Sequence, residues 1–374
     1  MKKIQMVDLQ NQYYKIKNDV DNAVLNVMSS AAFINGPEVK SFQTELENYL
    51  DVKHVIPCAN GTDALQIALM ALDLKEGDEV ITADFTFAAT VEVIHLLKLK
   101  SVLVDVDYDT FTLDIDRLKA AITPKTKAII PVHLFGQCAN MEAILEVAKQ
   151  HQLFVIEDNA QAIGADFIFS DGTRKKSGTM GTMGTTSFFP SKNLGCYGDG
   201  GAIFTNDDQL AHRLRGIVNH GMYERYYHDE VGVNSRLDSL QAVVLRKKLP
   251  LLDSYNAARR KAADYYDAAF ANHPHLLTPK RAENSTHVFH QYTLRVLNGK
   301  RNELQQFLAS KDIPAMIYYP VALRNQKAYY QESDPKDFVN TDLLLEQVIS
   351  LPMHTELDEE QLKYITDTVL EFLK

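Results

Sequence analysis

Between residues 54 and 157 short apolar runs alternate with helical patterns, and this alternation limits the possible folds more than any other feature of the chain. Strand candidates at 79–82, 101–105, 128–133 and 154–157 are separated by helical periodicity at 88–97, 115–121 and 141–150. Repetition of this kind builds an α/β fold, a largely parallel sheet covered by helices on both faces. Ligands in such sheets collect beyond the carboxyl ends of the strands. Those ends carry Asp84-Phe-Thr-Phe87, His133 and Glu157-Asp-Asn-Ala-Gln161.

A chain of 374 residues is long for one hydrophobic core, and its pattern changes after the helix expected at 237–249. We therefore expect a large domain at 1–245 and a smaller α+β domain at 246–374, with strands at 287–297 and 313–320 and helices at 301–310 and 358–373. A net charge of -10 argues against a nucleic-acid or anionic-membrane partner. The opening Met1-Lys-Lys-Ile-Gln leads into polar residues and shows no secretory signal, and no segment approaches the ~20 apolar residues of a membrane span. The odd set Cys58, Cys138 and Cys196 has no metal-ligand spacing and reads as reduced thiols, which points to the cytoplasm.

Chemistry concentrates between 185 and 205, where Lys192 lies between an aromatic run and a glycine-rich loop. A lysine in an apolar site loses proton affinity, and a neutral amine can form a Schiff base with an aldehyde cofactor such as pyridoxal phosphate (PLP). Asp158, at the end of an apolar strand, suits the protonated pyridine nitrogen that PLP needs as an electron sink; a turn cap is the plainer role. Gln161 is then placed for the ring hydroxyl. The turn Asn60-Gly61, followed by a helix starting at Thr62 or Asp63, offers backbone N–H groups for a phosphate, although these residues equally serve as an ordinary N-cap. Asp166 to Thr182 reads as a hairpin turning at Asp171-Gly172, and the long loop from Asn219 to Arg236 has the length of a functional loop.

Asn60-Gly-Thr, Phe87, Asp158 with Gln161, Ser187 and Lys192 stand in the order and spacing of fold-type I PLP enzymes. More narrowly, Glu-Asp-Asn-Ala-Gln (157–161), Ser-Phe-Phe-Pro-Ser-Lys-Asn (187–193), Gly-Asp-Gly-Gly (198–201) and Asn-Ser-Arg-Leu-Asp-Ser-Leu-Gln-Ala (234–242) resemble the sugar-nucleotide aminotransferases, from about residue 33 to 354. The resemblance implies a fold-type I PLP-dependent transferase. Lys192 would be its Schiff-base lysine and proton shuttle, with Asp158 on the pyridine nitrogen, Gln161 on the ring hydroxyl and Phe87 on the ring face. Gly61, Thr62 and Ser187 would hold the phosphate, and Asn234 would reach the phosphate of a neighbouring subunit in a homodimer with shared sites.

The implied reaction moves an amino group from L-glutamate, by way of pyridoxamine phosphate, to a keto-sugar nucleotide for cell-surface polysaccharide synthesis. Gly136-Gln-Cys, Asn219-His-Gly, Arg225-Tyr-Tyr-His228 and Ile317-Tyr-Tyr-Pro320 look most like the branch acting at C3 of UDP-2-acetamido-2-deoxy-3-oxo-D-glucuronate. The alternative branch acts on dTDP-3-oxo-6-deoxyhexoses. Arg236 could hold a sugar carboxylate or diphosphate, or form an ion pair, and Tyr319 could meet a sugar hydroxyl or pack in the core; Tyr318 stands where the family more readily carries histidine. A dehydratase of the same fold would carry histidine in place of Lys192, and a non-catalytic nucleotide-binding module would show the Gly-x-Gly-x-x-Gly turn that this chain lacks.

Overall fold

The computed structural model describes residues 3–374; Met1 and Lys2, which open the stretch read above for a secretory signal, lie outside it. Helix α1 (Leu9–Ser30) and helix α2 (Pro37–Leu50) lead in. Pro37 opens the second, where its missing N–H costs nothing and its fixed φ is already helical. The alternating stretch then runs β1 (His54–Cys58), α3 (Gly61–Met70), β2 (Glu79–Ala83), α4 (Ala89–Leu96), β3 (Lys100–Val104), α5 (Ile115–Ala121), β4 (Thr126–Ile130), α6 (Met141–His151) and β5 (Phe154–Asp158). A hairpin of β6 (Asp166–Ile168) and β7 (Arg174–Lys176) follows, then β8 (Met183–Ser187) and β9 (Gly201–Thr205).

These strands form a seven-stranded sheet in the order β1-β9-β8-β5-β4-β2-β3, parallel except where β9 pairs with β1 and β8. Alternate residues feed two separate cores. Ile81 and Ile129 point to one face with Phe135, Met141 and Ile144; Val80, Ala128 and Ile130 point to the other with Leu65, Ile94 and Leu214. Helices on both faces leave the central strands no wet side, which is why they read as continuous apolar runs.

Beyond the sheet lie α7 (Asp208–Ile217), a small hairpin of β10 (Met222–Glu224) and β11 (Tyr227–His228), α8 (Ser239–Lys248) and α9 (Leu252–Phe270). The C-terminal part is built on an antiparallel sheet of β12 (Leu276–Leu277), β13 (Tyr292–Val296) and, after α10 (Arg301–Ser310) and α11 (Val339–Gln347), β14 (Val348–Leu351), with α12 (Glu359–Leu373) closing over it. Its core joins Tyr266, Tyr292, Leu304 and Ile365 to Ile4 from the other end of the chain. Among the described residues no helix is long and apolar enough to cross a membrane.

Two expected strands differ. The run 287–297 pairs only from Tyr292, because the backbone of 288–291 bonds to Phe135 and Gly136 instead: Val288 N–H donates to Gly136 O at 2.8 Å and Gln291 N–H to Phe135 O at 3.3 Å. The run 313–320 is no strand, apart from an isolated bridge between Met316 and Ser350. Pro314 and Pro320 remove ladder donors at both ends. The chain from 317 to 324 is instead a strap over the carboxyl edge of the large sheet. Leu323 N–H donates to Asp84 O at 3.1 Å, Arg324 N–H to Asp84 Oδ1 at 2.8 Å, and the buried Arg324 guanidinium pairs with Asp84 and Asp342.

Candidate active site

The turn between β1 and α3 meets the end of β8. Asn60, rather than Thr62 or Asp63, is the N-cap, its Oδ1 accepting from Asp63 N–H at 2.8 Å while its carbonyl accepts from Ala64 N–H at 3.1 Å. The N–H groups of Gly61 and Thr62, in the helix's first turn, have no intrahelical acceptor. A Cβ on Gly61 would lie 2.6 Å from Ser187 Cβ, so only glycine lets this turn approach the serine so closely. Two free N–H groups and a hydroxyl at a helix N-terminus suit a phosphate.

Asp158 ends β5 and pairs in register with Thr185 on β8, two residues short of Ser187. It is 5% exposed; Oδ2 accepts from Thr90 Oγ1 at 2.8 Å and Oδ1 from Ala160 N–H at 3.1 Å. Thr90 escaped the sequence reading because its role depends on α4 crossing the end of β5. Behind Asp158, Glu157 is fully buried and accepts the N–H groups of Gly178, Met180 and Gly181 at 2.8, 2.6 and 2.6 Å. His133 Nδ1 accepts from Ala139 N–H at 3.1 Å, so its Nε2 carries the proton given to Glu157 at 2.8 Å.

Lys192 follows the aromatic run, its N–H bonded to Phe189 O at 2.8 Å. Burial pushes its amine down to about 8, against the opposing pull of the Asp158 carboxylate. Gln161 lies on the other side of Asp158. Its Oε1 accepts from Phe135 N–H at 2.7 Å and its Nε2 donates to Tyr319 Oη at 3.2 Å, so the strap delivers Tyr319 to the same place. The Tyr319 ring lies 5.9 Å from Phe85 and 6.4 Å from Phe87. Phe87 is 57% exposed and therefore presents a ring face rather than filling a core. Tyr318 sits beside Tyr319, with ring centroids 6.0 Å apart.

The structure thus gathers Gly61, Thr62, Ser187, Lys192, Asp158, Gln161, Tyr319 and Phe87 at the carboxyl edge of one sheet. Asn234 and Arg236 make no hydrogen bond to these residues among the described ones. Asn234 is exposed, and Arg236 Nη1 donates to Asn219 Oδ1 at 3.2 Å while its buried Nε has no partner. Ser235 between them accepts from Ala59 N–H at 3.1 Å, which places this pair beside the Asn60-Gly61 turn. Cys58, Cys138 and Cys196 are buried free thiols; burial holds Cys138 and Cys196 up at about 12, far from a reactive thiolate. Among the described residues no group of His, Cys, Asp and Glu could hold a metal ion.

PLP fits these residues: a buried amine, a carboxylate fixed at the end of a strand, and a cradle that a Cβ at residue 61 would fill. His290 was missed altogether. Its segment is tied to the lysine's loop from the C-terminal part, Asn193 Nδ2 donating to Val288 O at 2.9 Å, and only tertiary contacts bring it there.

Known proteins give the same picture. The chain is 46% identical to the UDP-2-acetamido-2-deoxy-3-oxo-D-glucuronate aminotransferase of Pseudomonas aeruginosa, over 97% of this chain and 98% of that one. It is 45% identical to a pleiotropic regulatory protein of Geobacillus stearothermophilus, over 99% of both. The crystal structure of Streptomyces venezuelae DesV in complex with a ketimine intermediate superimposes with a TM-score of 0.95 at 36% identity, covering 100% of this chain and 99% of that one. PLP, alternating with its pyridoxamine form, is the cofactor of such enzymes. Residues 14–370 match the model of one family, and on fold, sequence and cofactor cradle together the chain belongs to the DegT/DnrJ/EryC1/StrS aminotransferase family.

Proposed function

We propose that the protein transfers the amino group of glutamate to C3 of UDP-2-acetamido-2-deoxy-3-oxo-D-glucuronate. One observation carries the chemistry: desolvation holds the amine of the half-buried Lys192 down at about 8 in the field of the Asp158 carboxylate, which ends β5 in the sheet. The 46% identity with the Pseudomonas aeruginosa relative, over nearly the whole of both chains, supports the choice of sugar.

Bound PLP supplies the electron sink that stabilises charge at the substrate carbon. The chain supplies the rest. Gly61 and Thr62 N–H groups and the Ser187 hydroxyl would hold the phosphate, Asp158 would keep the pyridine nitrogen protonated, and Phe87 would stack on the ring. Gln161 would meet the ring hydroxyl, and Tyr319, bonded to Gln161 Nε2 at 3.2 Å, would meet a sugar hydroxyl. Lys192 Nζ carries the proton off the α-carbon of glutamate and, in the second half, delivers one to C3 of the sugar. Arg236 has the planar fork to bind the sugar carboxylate or diphosphate.

The test is a screen of UDP- and dTDP-linked 3-keto sugars with glutamate, read by mass spectrometry. Amination of the UDP-linked oxo-glucuronate is expected, and exclusive turnover of a dTDP-linked deoxyhexose would overturn the sugar assignment. Asn234, which is exposed, and Arg236, whose buried Nε has no partner among the described residues, would serve the partner's site in a homodimer. Mixing inactive Lys192→Ala chains with inactive Asn234→Ala, Arg236→Ala chains should then restore activity to one site of each heterodimer. Verified subunit exchange without recovery would mean that these residues serve their own chain.

A further inference from the structure

Asp84 follows β2, is 1% exposed, and has every polar group engaged. Its N–H donates to Val104 O at 2.9 Å, its carbonyl accepts from Leu323 N–H at 3.1 Å, and Oδ1 accepts from Arg324 N–H at 2.8 Å. The carboxylate also pairs with the Arg324 guanidinium, whose other arm meets Asp342 on α11 and which lies 4.4 Å over the Phe338 ring. Asp84 thus grips two consecutive residues of the strap through backbone and side chain together. Attraction in such a buried pair largely offsets the desolvation of both ions, so its main consequence is geometric.

That geometry sets two aromatic rings. Just after Asp84 the chain presents Phe87, and just before Leu323 it presents Tyr319, with ring centroids 6.4 Å apart. The buried Phe85 backs Tyr319 edge-on at 5.9 Å. Of residues 317–321, Tyr319 alone makes a hydrogen bond among the described residues, the one from Gln161 Nε2 at 3.2 Å. The strap is therefore held by its ends: by Met316, whose backbone exchanges bonds of 3.0 and 2.7 Å with Ser350, and by Leu323 and Arg324 on Asp84. Gln161 keeps the Phe135 N–H at 2.7 Å wherever Tyr319 lies, so the cofactor side of the site is anchored independently of the strap.

We infer that Asp84 and Arg324 are positioning residues for the sugar acceptor: their ion pair latches the strap so that Tyr319 stands beside Phe87, where it meets the keto sugar. The inference rests on the keto-sugar reading of this site and on Tyr319 meeting that sugar. Neither residue of the latch touches the reacting atoms. Proton transfer stays with Lys192, so the latch governs how well the sugar is held and leaves the glutamate half of the reaction alone.

The test uses the full chain loaded with PLP and follows the two half-reactions separately by the visible band, with glutamate first and the UDP-linked oxo-glucuronate second. In Asp84→Asn the amide still accepts from Arg324 N–H but the charge pair is gone. The KM for sugar should rise about tenfold, while kcat and the glutamate half-reaction stay within about twofold. Arg324→Lys, which keeps the charge without the fork, should raise it only about threefold, and it carries the test if Asp84→Asn does not fold. In a Tyr319→Ala chain, adding Asp84→Asn should change the KM by less than about twofold, because the side chain that the latch places is absent. An unmoved sugar KM in the folded variants, an equal loss in both half-reactions, or an undiminished effect in Tyr319→Ala overturns this inference alone. A wild type that takes a dTDP-linked keto sugar instead overturns the sugar assignment, and the same KM comparison on that sugar decides the latch. A wild type that takes no keto sugar overturns both.

Discussion

Lys192, half-buried, and Lys248, buried, are both amines that desolvation pushes down to about 8, and they differ in what their nitrogens touch. Lys248, on α8 and 1% exposed, donates to Gly195 O at 2.8 Å and sits 4.7 Å over the Tyr197 ring. It is committed to holding the loop just after Lys192. Lys192 makes no such bond among the described residues, and the Asp158 carboxylate acts on its amine. Burial alone therefore does not make an amine reactive; it lowers proton affinity in both, and the absence of a structural partner leaves one of them available.

The comparison breaks first, and most sharply, at the amine itself. Lys192→Ala should lower transamination by at least about 10³-fold, since no other group can carry the proton, whereas Lys248→Met should stay within about threefold. Steady-state rates of the two variants decide it: full turnover in Lys192→Ala ends the assignment, and an inactive but folded Lys248→Met makes the two lysines one unit.

Asp158→Asn comes next, with a fall of about 10²–10³-fold, because an amide cannot hold the pyridine nitrogen protonated. A near-normal rate would reduce Asp158 to the partner of Thr90 and Ala160.

A smaller effect separates the lysines by stability. The folded value of Lys248 is depressed from 10.5 to about 8, so between those pH values the unfolded chain holds a proton that the folded chain has released. Its contribution to stability is lowest below pH 8 and rises as pH climbs through that window. The unfolding free energy of the wild type minus that of Lys248→Met should therefore grow by about 2 kcal/mol between pH 8 and 10. Tyr266 and Tyr292, whose phenols burial raises, act in the opposite direction above pH 10 but are common to both chains and cancel. Chemical denaturation of both chains across the series measures it, and a flat difference would show that Lys248 keeps its proton when folded, with its ordinary affinity.

The smallest change is expected in Tyr197→Leu. Losing the ring under the Lys248 ammonium should cost about 0.5–1 kcal/mol with little change in rate. A large rate loss there would mean that the loop after Lys192 depends on Tyr197 more than on the lysine.

The large sheet was legible because its signal is local. Central parallel strands are apolar on both faces, and helices α5 and α10 fall where their periodicity placed them, at Ile115–Ala121 and Arg301–Ser310. The C-terminal part was harder to read. β14 (Val348–Leu351) follows α11 with no turn signal, and the apolar run before Pro320 reads as a strand although it pairs only in an isolated bridge between Met316 and Ser350.

The same division holds at the site. Asp158, Ser187 and Lys192 stand in short motifs whose spacing follows strand ends, and so the order of residues by itself determined the α/β fold and singled out the residues proposed for the chemistry. Their surroundings come from far along the chain: Thr90 from α4, Tyr319 on a strap latched by Asp84 and Arg324, and His290 from a segment pressed against Gly136. Sequence fixes which groups can react, because reactivity begins with residue type. Only the tertiary structure decides which amine is left unpartnered and how far its proton affinity falls, because desolvation and hydrogen bonding depend on neighbours that no local pattern encodes.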